Sequence, residues 1–132
     1  MVTILWVEPN EQEWDVCRAQ MEDADRRVVF VTNGAAALKT MMTHRLNLVI
    51  LDPNMGSPEG ALTLQAIKEL DASLPVLLYT DESLFGDDFR YFLADACLLK
   101  SANLAPLKQK ICEVLGQANP AEQHPIFTDC YY

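Results

Sequence analysis

The 132-residue sequence predicts an α/β protein in which a doubly wound, five-stranded parallel sheet carries helices on both faces. The first reason is alternation, because short apolar and β-branched runs alternate with segments whose apolar residues recur at helical spacing. The second is the stretch 46–51, which ends in four consecutive apolar residues (LVIL). Such an unbroken run is typical of a central parallel strand buried on both faces.

The first half of the chain predicts three strands and two helices. The strands cover residues 3–7, 27–31 and 46–51. Asn10 is expected to cap the first helix with Glu13 as its capping-box partner, and this helix should end near Asp25. Asn33 and Gly34 turn the chain into a second helix that should end around residues 44–45. The expected apolar faces consist of Trp14, Cys17 and Met21 in the first helix and Ala37, Leu38, Met41 and Met42 in the second.

The second half predicts the remaining strands, at residues 75–79 and 96–99, and three helices. Ser57 and Pro58 suit the N-cap and the first position of a third helix. Residues 81–94 indicate a loop and a short fourth helix rich in aromatic residues. The expected apolar faces consist of Leu64, Ile67 and Leu70 in the third helix and Leu104, Leu107, Ile111 and Leu115 in the last.

Charge and length restrict the function. The net charge of -9 and the pI near 4.5 argue against direct binding to nucleic acid or to an anionic membrane. No apolar run is long enough to span a membrane and the N-terminus does not resemble a signal peptide, so we expect a cytoplasmic protein. One domain at residues 1–117, followed by a tail or linker at 118–132, fits the length.

The cysteines are expected to be reduced thiols, and metal binding by them is not favoured. A site built from cysteines and histidines would need closely spaced ligand pairs, which the sequence lacks. The expected thiols are those of Cys17, Cys97, Cys112 and Cys130. The disfavoured metal site would consist of Cys97, Cys130, His44 and His124.

Polar side chains follow four of the predicted strands at the point where each strand ends. They are Glu8, Asp52, Thr80 and Lys100. The carboxyl ends of parallel strands form the ligand-binding edge of a doubly wound sheet, so these side chains should converge.

This set of side chains suits phosphoryl transfer to a carboxylate. Asp52 can attack a phosphoryl group and form an acyl phosphate, with Mg²⁺ held by Glu8, Asp52 and the carbonyl of Asn54. Lys100 would balance the phosphoryl charge, and Thr80 would donate a hydrogen bond to a phosphoryl oxygen.

At these residues the chain resembles a response-regulator receiver domain (CheY-like), the phosphoacceptor module of two-component signalling and phosphorelays. The D-x-x-M-P-x-x-x-G run of the family corresponds to residues 52–60 (DPNMGSPEG), and its GADDYLxKP run corresponds to 93–101 (LADACLLKS). The likeness covers about residues 2–117. It implies a flavodoxin-like sheet of strand order 2-1-3-4-5 and a signalling module rather than an enzyme.

The sequence departs from the family pattern at several positions. Pro9 stands where the family has a second acid, so Mg²⁺ binding should be weakened. Asp81 follows Thr80 where a small residue is usual, and is a candidate compensating acid. Cys97 occupies the position of the aromatic switch residue, and a thiol cannot swing as a tyrosine does. Gly56 and Ser101 replace two family prolines.

Two functions follow from the resemblance. In the first, a sensor histidine kinase, a phosphotransfer protein or a small phosphodonor modifies Asp52. The new charge then alters contacts made by the face of the fourth helix, fifth strand and fifth helix, with a downstream protein or a second copy of the chain. In the second, the chain is a pseudo-receiver that binds proteins without phosphorylation. Pro9 and Cys97 favour the second, whereas Asp52, Thr80 and Lys100 favour the first. A flavin or nucleotide binder is not favoured, because no glycine-rich phosphate loop is present.

Simpler interpretations remain beside these. Asp52 alone could cap a turn, and Thr80 could simply end a strand. Lys100 could be a solvent lysine, Glu8 could favour a helix start by charge alone, and Asp81 could belong to a turn. The aromatic residues Phe85, Phe89, Tyr91 and Phe92 are expected to pack in the core, with a partner-binding face as the alternative. The tail, residues 117–132, is too short for an effector domain, so output would pass through protein contacts unless a longer protein continues beyond it.

Overall fold

The computed structural model describes residues 1–55, 59–81 and 88–116. The strands are β1 (Val2–Val7), β2 (Arg26–Val31), β3 (Leu48–Leu51), β4 (Val76–Thr80) and β5 (Ala96–Leu99). The helices are α1 (Trp14–Met21), α2 (Gly34–Thr43), α3 (Glu59–Leu70) and α4 (Ala105–Val114). Two 3₁₀ helices, Glu11–Glu13 and Phe89–Leu93, complete the order. Within these ranges no helix is long and apolar enough to cross a membrane.

All five strands are parallel and follow the order β2-β1-β3-β4-β5, which confirms the predicted sheet. The register pairs Val7 of β1 with Val31 of β2 and with Leu51 of β3. Because these strands end at the same level, the residues that follow them leave the sheet at one edge. The register therefore places Glu8 and Asp52 side by side.

The sheet has a core on each face, as the unbroken apolar runs predict. One core packs under α2, α3 and the 3₁₀ helix Phe89–Leu93, and the other packs under α1 and α4. In the second core the ring of Trp6 stacks on Phe30 with centroids 5.3 Å apart, and Trp14 stacks on the same ring at 5.5 Å. Such aromatic pairs fix the start of α1 against the sheet.

The start and end of the first helix differ from the prediction, and α1 ends at Met21 rather than near Asp25 because Glu22 already has an extended backbone. The side chain of Asn10 accepts a hydrogen bond from Gln12 N at 3.1 Å and caps the 3₁₀ helix, so α1 begins only at Trp14. The backbone N–H of Asn10 donates to Glu8 Oε2 at 3.0 Å, so the predicted capping box with Glu13 is wrong. Glu8 takes this hydrogen bond in place of Glu13 because it follows the end of β1, two residues before Asn10.

Two expected helix residues are also exposed rather than buried. Met42 is 77% exposed and Leu70 is 57% exposed. Both lie in the last turn of their helix, α2 or α3, where helical spacing alone does not ensure a partner. The cap of the second helix is as expected, since Asn33 Oδ1 accepts from Ala36 N at 2.8 Å. The predicted cap at Ser57 and Pro58 lies outside the described residues.

The expected fourth helix is, in the described part, the 3₁₀ helix Phe89–Leu93, which packs against α3. Tyr91 is buried, as predicted, but Phe89 is 88% exposed and Phe92 is 62% exposed. Core packing is therefore the wrong interpretation for these two residues. The reason is that a 3₁₀ turn so short buries only one side. Phe85 lies outside the described residues.

The cysteines divide into two groups. Cys17 and Cys112 are free thiols, as expected. Cys97 is fully buried in β5 and is disulfide-bonded, so the expectation of a reduced thiol is wrong there. Disulfide bonding depends on how close two sulfur atoms lie in space, which the spacing of cysteines along the sequence does not reveal. Cys130 and His124 lie outside the described residues.

Candidate functional site

Two buried carboxylates lie at the carboxyl edge of the sheet. Glu8 follows β1 and is 3% exposed, and Asp52 follows β3 and is 4% exposed. The backbone holds both in place, because Glu8 N donates to Val31 O at 2.9 Å and Asp52 N donates to Val7 O at 3.2 Å. The apolar runs therefore carry two acids to the rim of the core, where a ligand at this edge could reach them.

Lys100 joins these carboxylates. Its Nζ lies 3.0 Å from Glu8 Oε1 and 2.8 Å from Asp52 Oδ2. The second oxygen of each acid accepts a backbone N–H, Asn10 N at 3.0 Å for Glu8 and Asn54 N at 2.8 Å for Asp52. Each carboxylate is thus held by one amide and one shared ammonium group. This is a single charge unit assembled from three strand ends.

The ammonium group of Lys100 stays charged in this position. Burial alone would lower the pKa of Lys100, but its hydrogen bonds to Asp52 and then to Glu8 outweigh burial and raise the pKa above its ordinary value. The ring of Tyr79 lies 5.8 Å from Nζ and adds a cation–π contact. A permanent positive charge beside Asp52 is what an incoming phosphoryl group would require.

The other residues predicted for the site differ in their burial and in their position relative to this charge unit. Thr80 is buried at the end of β4, and its carbonyl accepts from Lys100 N at 2.6 Å. Asn54 is exposed in the loop after Asp52. Asp81 is exposed and lines a cavity together with Glu8 and Lys100. Cys97 is buried among the side chains under α3, on β5.

The loop after Asp52 is held close to α3. A Cβ built on Gly60 would clash with the backbone of Pro53, lying 2.9 Å from its Cα. Only glycine therefore fits here without moving the loop, and the loop carries the amide of Asn54 that binds Asp52. Among the described residues no cluster of three or more His, Cys, Asp or Glu side chains could hold a metal ion.

Two residues near the site are not found by the sequence argument. Trp14 Nε1 donates to the carbonyl of Glu8 at 3.0 Å and so ties α1 to the site. Burial, followed by the charge of Glu8, raises the pKa of the Glu13 carboxyl. The sequence signal for Glu13 is its position in the first helical turn after Glu8, a position that also suits a capping residue.

A family model described as the response regulator receiver domain matches residues 4–112. The chain belongs to the response regulator receiver family. The match agrees with the resemblance of residues 52–60 and 93–101, and with the sheet order. Receiver domains are signalling modules of two-component systems.

Known relatives of this receiver domain include one curated protein and two solved structures. Transcriptional regulatory protein ZraR of Klebsiella oxytoca is 27% identical over 123 residues, which is 92% of this chain and 28% of ZraR. The chain thus spans less than a third of the length of that relative.

The first structure is response regulator TrrA of Thermotoga maritima in complex with Mg²⁺-BeF. It is 25% identical with a TM-score of 0.78, covering 86% of this chain and 99% of TrrA. The second is TrrA in complex with histidine kinase ThkA, at 26% identity and a TM-score of 0.78, covering 87% of this chain and 99% of that one.

Proposed function

We propose that this receiver domain accepts a phosphoryl group on Asp52. One carboxylate oxygen of Asp52 attacks phosphorus, the bond from phosphorus to the donor breaks, and its electron pair leaves with the donor group. The product is an acyl phosphate. The observation that carries the proposal is the contact of Lys100 Nζ with Asp52 Oδ2 at 2.8 Å, because it supplies a fixed positive charge where phosphoryl charge would accumulate.

The surrounding groups would act by position. Asn54 N, 2.8 Å from Asp52 Oδ1, orients the carboxylate. The ammonium group of Lys100 would shift one hydrogen bond from a carboxylate oxygen to a phosphoryl oxygen. The hydroxyl of Thr80 would donate a hydrogen bond to a second phosphoryl oxygen. The new charge on Asp52 would then alter the face formed by Phe89–Leu93, β5 and α4, which we propose as the contact surface for a downstream protein.

Mg²⁺ is the cofactor that the family suggests, since TrrA was solved with Mg²⁺-BeF. The donors fit it in part, because Glu8 and Asp52 are neighbouring carboxylates that share one cation, Lys100. We propose that Glu8, Asp52 and the carbonyl of Asn54 would hold the ion, and that Asp81 is a candidate compensating acid. When bound, Mg²⁺ would neutralise phosphoryl charge. Pro9 removes one ligand and should weaken binding.

The phosphodonor is proposed to be a sensor histidine kinase or a phosphotransfer protein. The support is that TrrA, 26% identical to this chain, forms a complex with histidine kinase ThkA. A small phosphodonor could replace the kinase, because Asp52 would attack its phosphorus atom in the same way. Such a donor makes the proposal testable without the kinase. The chain would act inside the cell, with no direct contact to nucleic acid or membrane.

The second candidate function is a pseudo-receiver that binds a partner without phosphorylation. Two observations favour it: Pro9 offers no side-chain metal ligand, and Phe89 and Phe92 are 88% and 62% exposed. Large exposed aromatic side chains are typical of protein-binding surfaces. A constitutive partner would need no change at Asp52.

Intact-mass measurement after incubation with phosphoramidate, with and without Mg²⁺, separates the two candidates. The phosphoacceptor predicts a Mg²⁺-dependent adduct of one phosphoryl group that Asp52→Asn abolishes. A folded protein that forms no adduct with phosphoramidate and none with a cognate histidine kinase would support the pseudo-receiver. An adduct that survives Asp52→Asn would show that another residue is modified.

A further inference from the structure

The sulfur of Cys97 is oxidised although it lies in the core. Cys97 is fully buried in β5 and is disulfide-bonded. The chain contains four cysteines, and two of them, Cys17 and Cys112, are free thiols. A disulfide within one copy of the chain therefore requires Cys130, the one cysteine that remains. This elimination points to a covalent link between β5 and the segment that follows α4.

The segment that follows α4 is long enough to make this link. The last described residue is Gly116. The chain from Gly116 to Cys130 spans at most roughly 45 Å when it is fully extended. A domain of this size has a radius of gyration of about 13 Å, so β5 lies well within that reach from the end of α4. Chain length therefore places no obstacle to a bond between Cys97 and Cys130.

Two charged residues near the end of α4 are buried, which indicates that something covers them. Lys110 is 6% exposed and the side chain of Glu113 is 11% exposed, with Lys110 Nζ 3.4 Å from Glu113 Oε2. That Oε2 atom has no hydrogen-bond partner among the described residues. Pro106 lies one turn before Lys110 on the same side of the helix and is exposed. Lysine and glutamate are rarely buried on a helix surface, and chain lying over the last turns of α4 explains their burial.

We propose that residues 117–132 dock on β5 and α4 and are held there by a disulfide between Cys97 and Cys130. The docked segment covers two of the three elements of the proposed contact surface and leaves the rings of Phe89 and Phe92 exposed. It therefore competes with a downstream protein for β5 and α4. This consequence rests on the proposed function, in which the same face makes the contact.

The bond forms by oxidation of two thiols. The thiols of Cys97 and Cys130 give up two protons and two electrons to a small-molecule disulfide such as oxidised glutathione, which is released as two thiols. The new bond joins the two Sγ atoms, and an excess of thiol reverses the exchange. Disulfides of proteins inside cells are mostly transient and redox-sensing. The segment would thus be fixed under oxidising conditions and released under reducing ones.

Disulfide mapping of the full-length protein tests the pairing. After oxidation with oxidised glutathione, denaturation without reductant and alkylation, trypsin releases Cys97 in peptide 91–100 and both Cys112 and Cys130 in peptide 111–132. We expect these two peptides to be joined in a protein that runs as a monomer on a non-reducing gel. Cys130→Ser should abolish the link, whereas Cys112→Ser, a matched change in the same peptide, should retain it.

Amine acetylation of the same protein tests the docking. Reduction with a phosphine should release the segment and speed the acetylation of Lys110 by about tenfold or more, because a buried amine reacts only when its cover opens. Lys108 is an exposed lysine of the same helix, and its rate should not change. The reduced wild type and oxidised Cys130→Ser should give the same Lys110 rate.

Three results would overturn the proposal. One is a Cys97 thiol that is still alkylated after oxidation. Another is a link that joins two copies of the chain or that survives Cys130→Ser. The third is equal acetylation of Lys110 in the oxidised and reduced proteins. None of these measurements uses phosphorylation, so a failure here is distinguishable from a failure of Asp52 to accept a phosphoryl group.

Discussion

Replacement of Lys100 by methionine tests the charge unit at the sheet edge. The side chains of Glu8 and Asp52 are 4% and 6% exposed, and each has one oxygen on Lys100 Nζ. Removing one partner of a buried ion pair costs about 3–5 kcal/mol, because the remaining charge is left uncompensated. The amides of Asn10 and Asn54 still bind both acids, so we expect a loss near the lower end, about 3 kcal/mol.

The assay is urea unfolding at pH 7, followed by far-ultraviolet circular dichroism, with the free energy taken from midpoint and slope. Lys108→Met is the matched control, since Lys108 is an exposed lysine of α4, and its change should stay within about 0.5 kcal/mol. A loss below about 1 kcal/mol for Lys100→Met would show that Lys100 does not act as the buried partner of Glu8 and Asp52, since exposed pairs contribute that little.

Mg²⁺ adds a second arm to the same experiment. If the ammonium group and the metal ion share the space between Glu8 and Asp52, Mg²⁺ should stabilise Lys100→Met more than the wild type, because no ammonium group competes with it. Equal stabilisation of both proteins would show that the ion binds elsewhere.

Three further predictions concern the fold around the site. Gly60→Ala should lower the free energy of unfolding by about 1–3 kcal/mol, because the added Cβ meets the backbone of Pro53, and thermal unfolding measures it. Leu64→Ala should cost about 2–5 kcal/mol, since Leu64 is fully buried in α3, whereas Leu62→Ala, at a residue 48% exposed, should cost far less in the same urea assay. Burial, followed by the charge of Glu8, raises the pKa of the Glu13 carboxyl above its ordinary value of 4.5, so its ionisation in the folded state lowers stability as the pH rises. Glu13→Gln should therefore be more stable than the wild type at pH 7 but not at pH 4.

The sheet was predictable because its signal is local. Each strand is a short apolar run, and β3 and β4 are buried along their whole length. Parallel register then brings the residues after β1, β3 and β5 to one edge, which is why Glu8, Asp52 and Lys100 could be expected there from sequence alone, although the ion pairs between them were not predicted.

The parts that sequence reasoning missed depend on tertiary contacts. The backbone N–H of Asn10 could donate a hydrogen bond to Glu13 or to Glu8. It donates to Glu8, because the end of β1 holds the Glu8 side chain next to it. Phe89 and Phe92 are large apolar residues of the kind that usually pack in a core, but the short 3₁₀ helix that carries them leaves both exposed to solvent. The disulfide at Cys97 and the unpaired Nε1 of Trp6 leave no pattern in the sequence.

The most direct measurement for the central proposal is a crystal structure of this receiver domain grown with Mg²⁺ and beryllium fluoride, a phosphoryl mimic. We expect beryllium fluoride bound to an oxygen of Asp52, with Lys100 Nζ and the Thr80 hydroxyl contacting its fluorines and Mg²⁺ beside Glu8. A structure in which Asp52 carries no such group, and Lys100 Nζ still lies within about 3 Å of both Glu8 and Asp52 as a direct hydrogen bond requires, would contradict it.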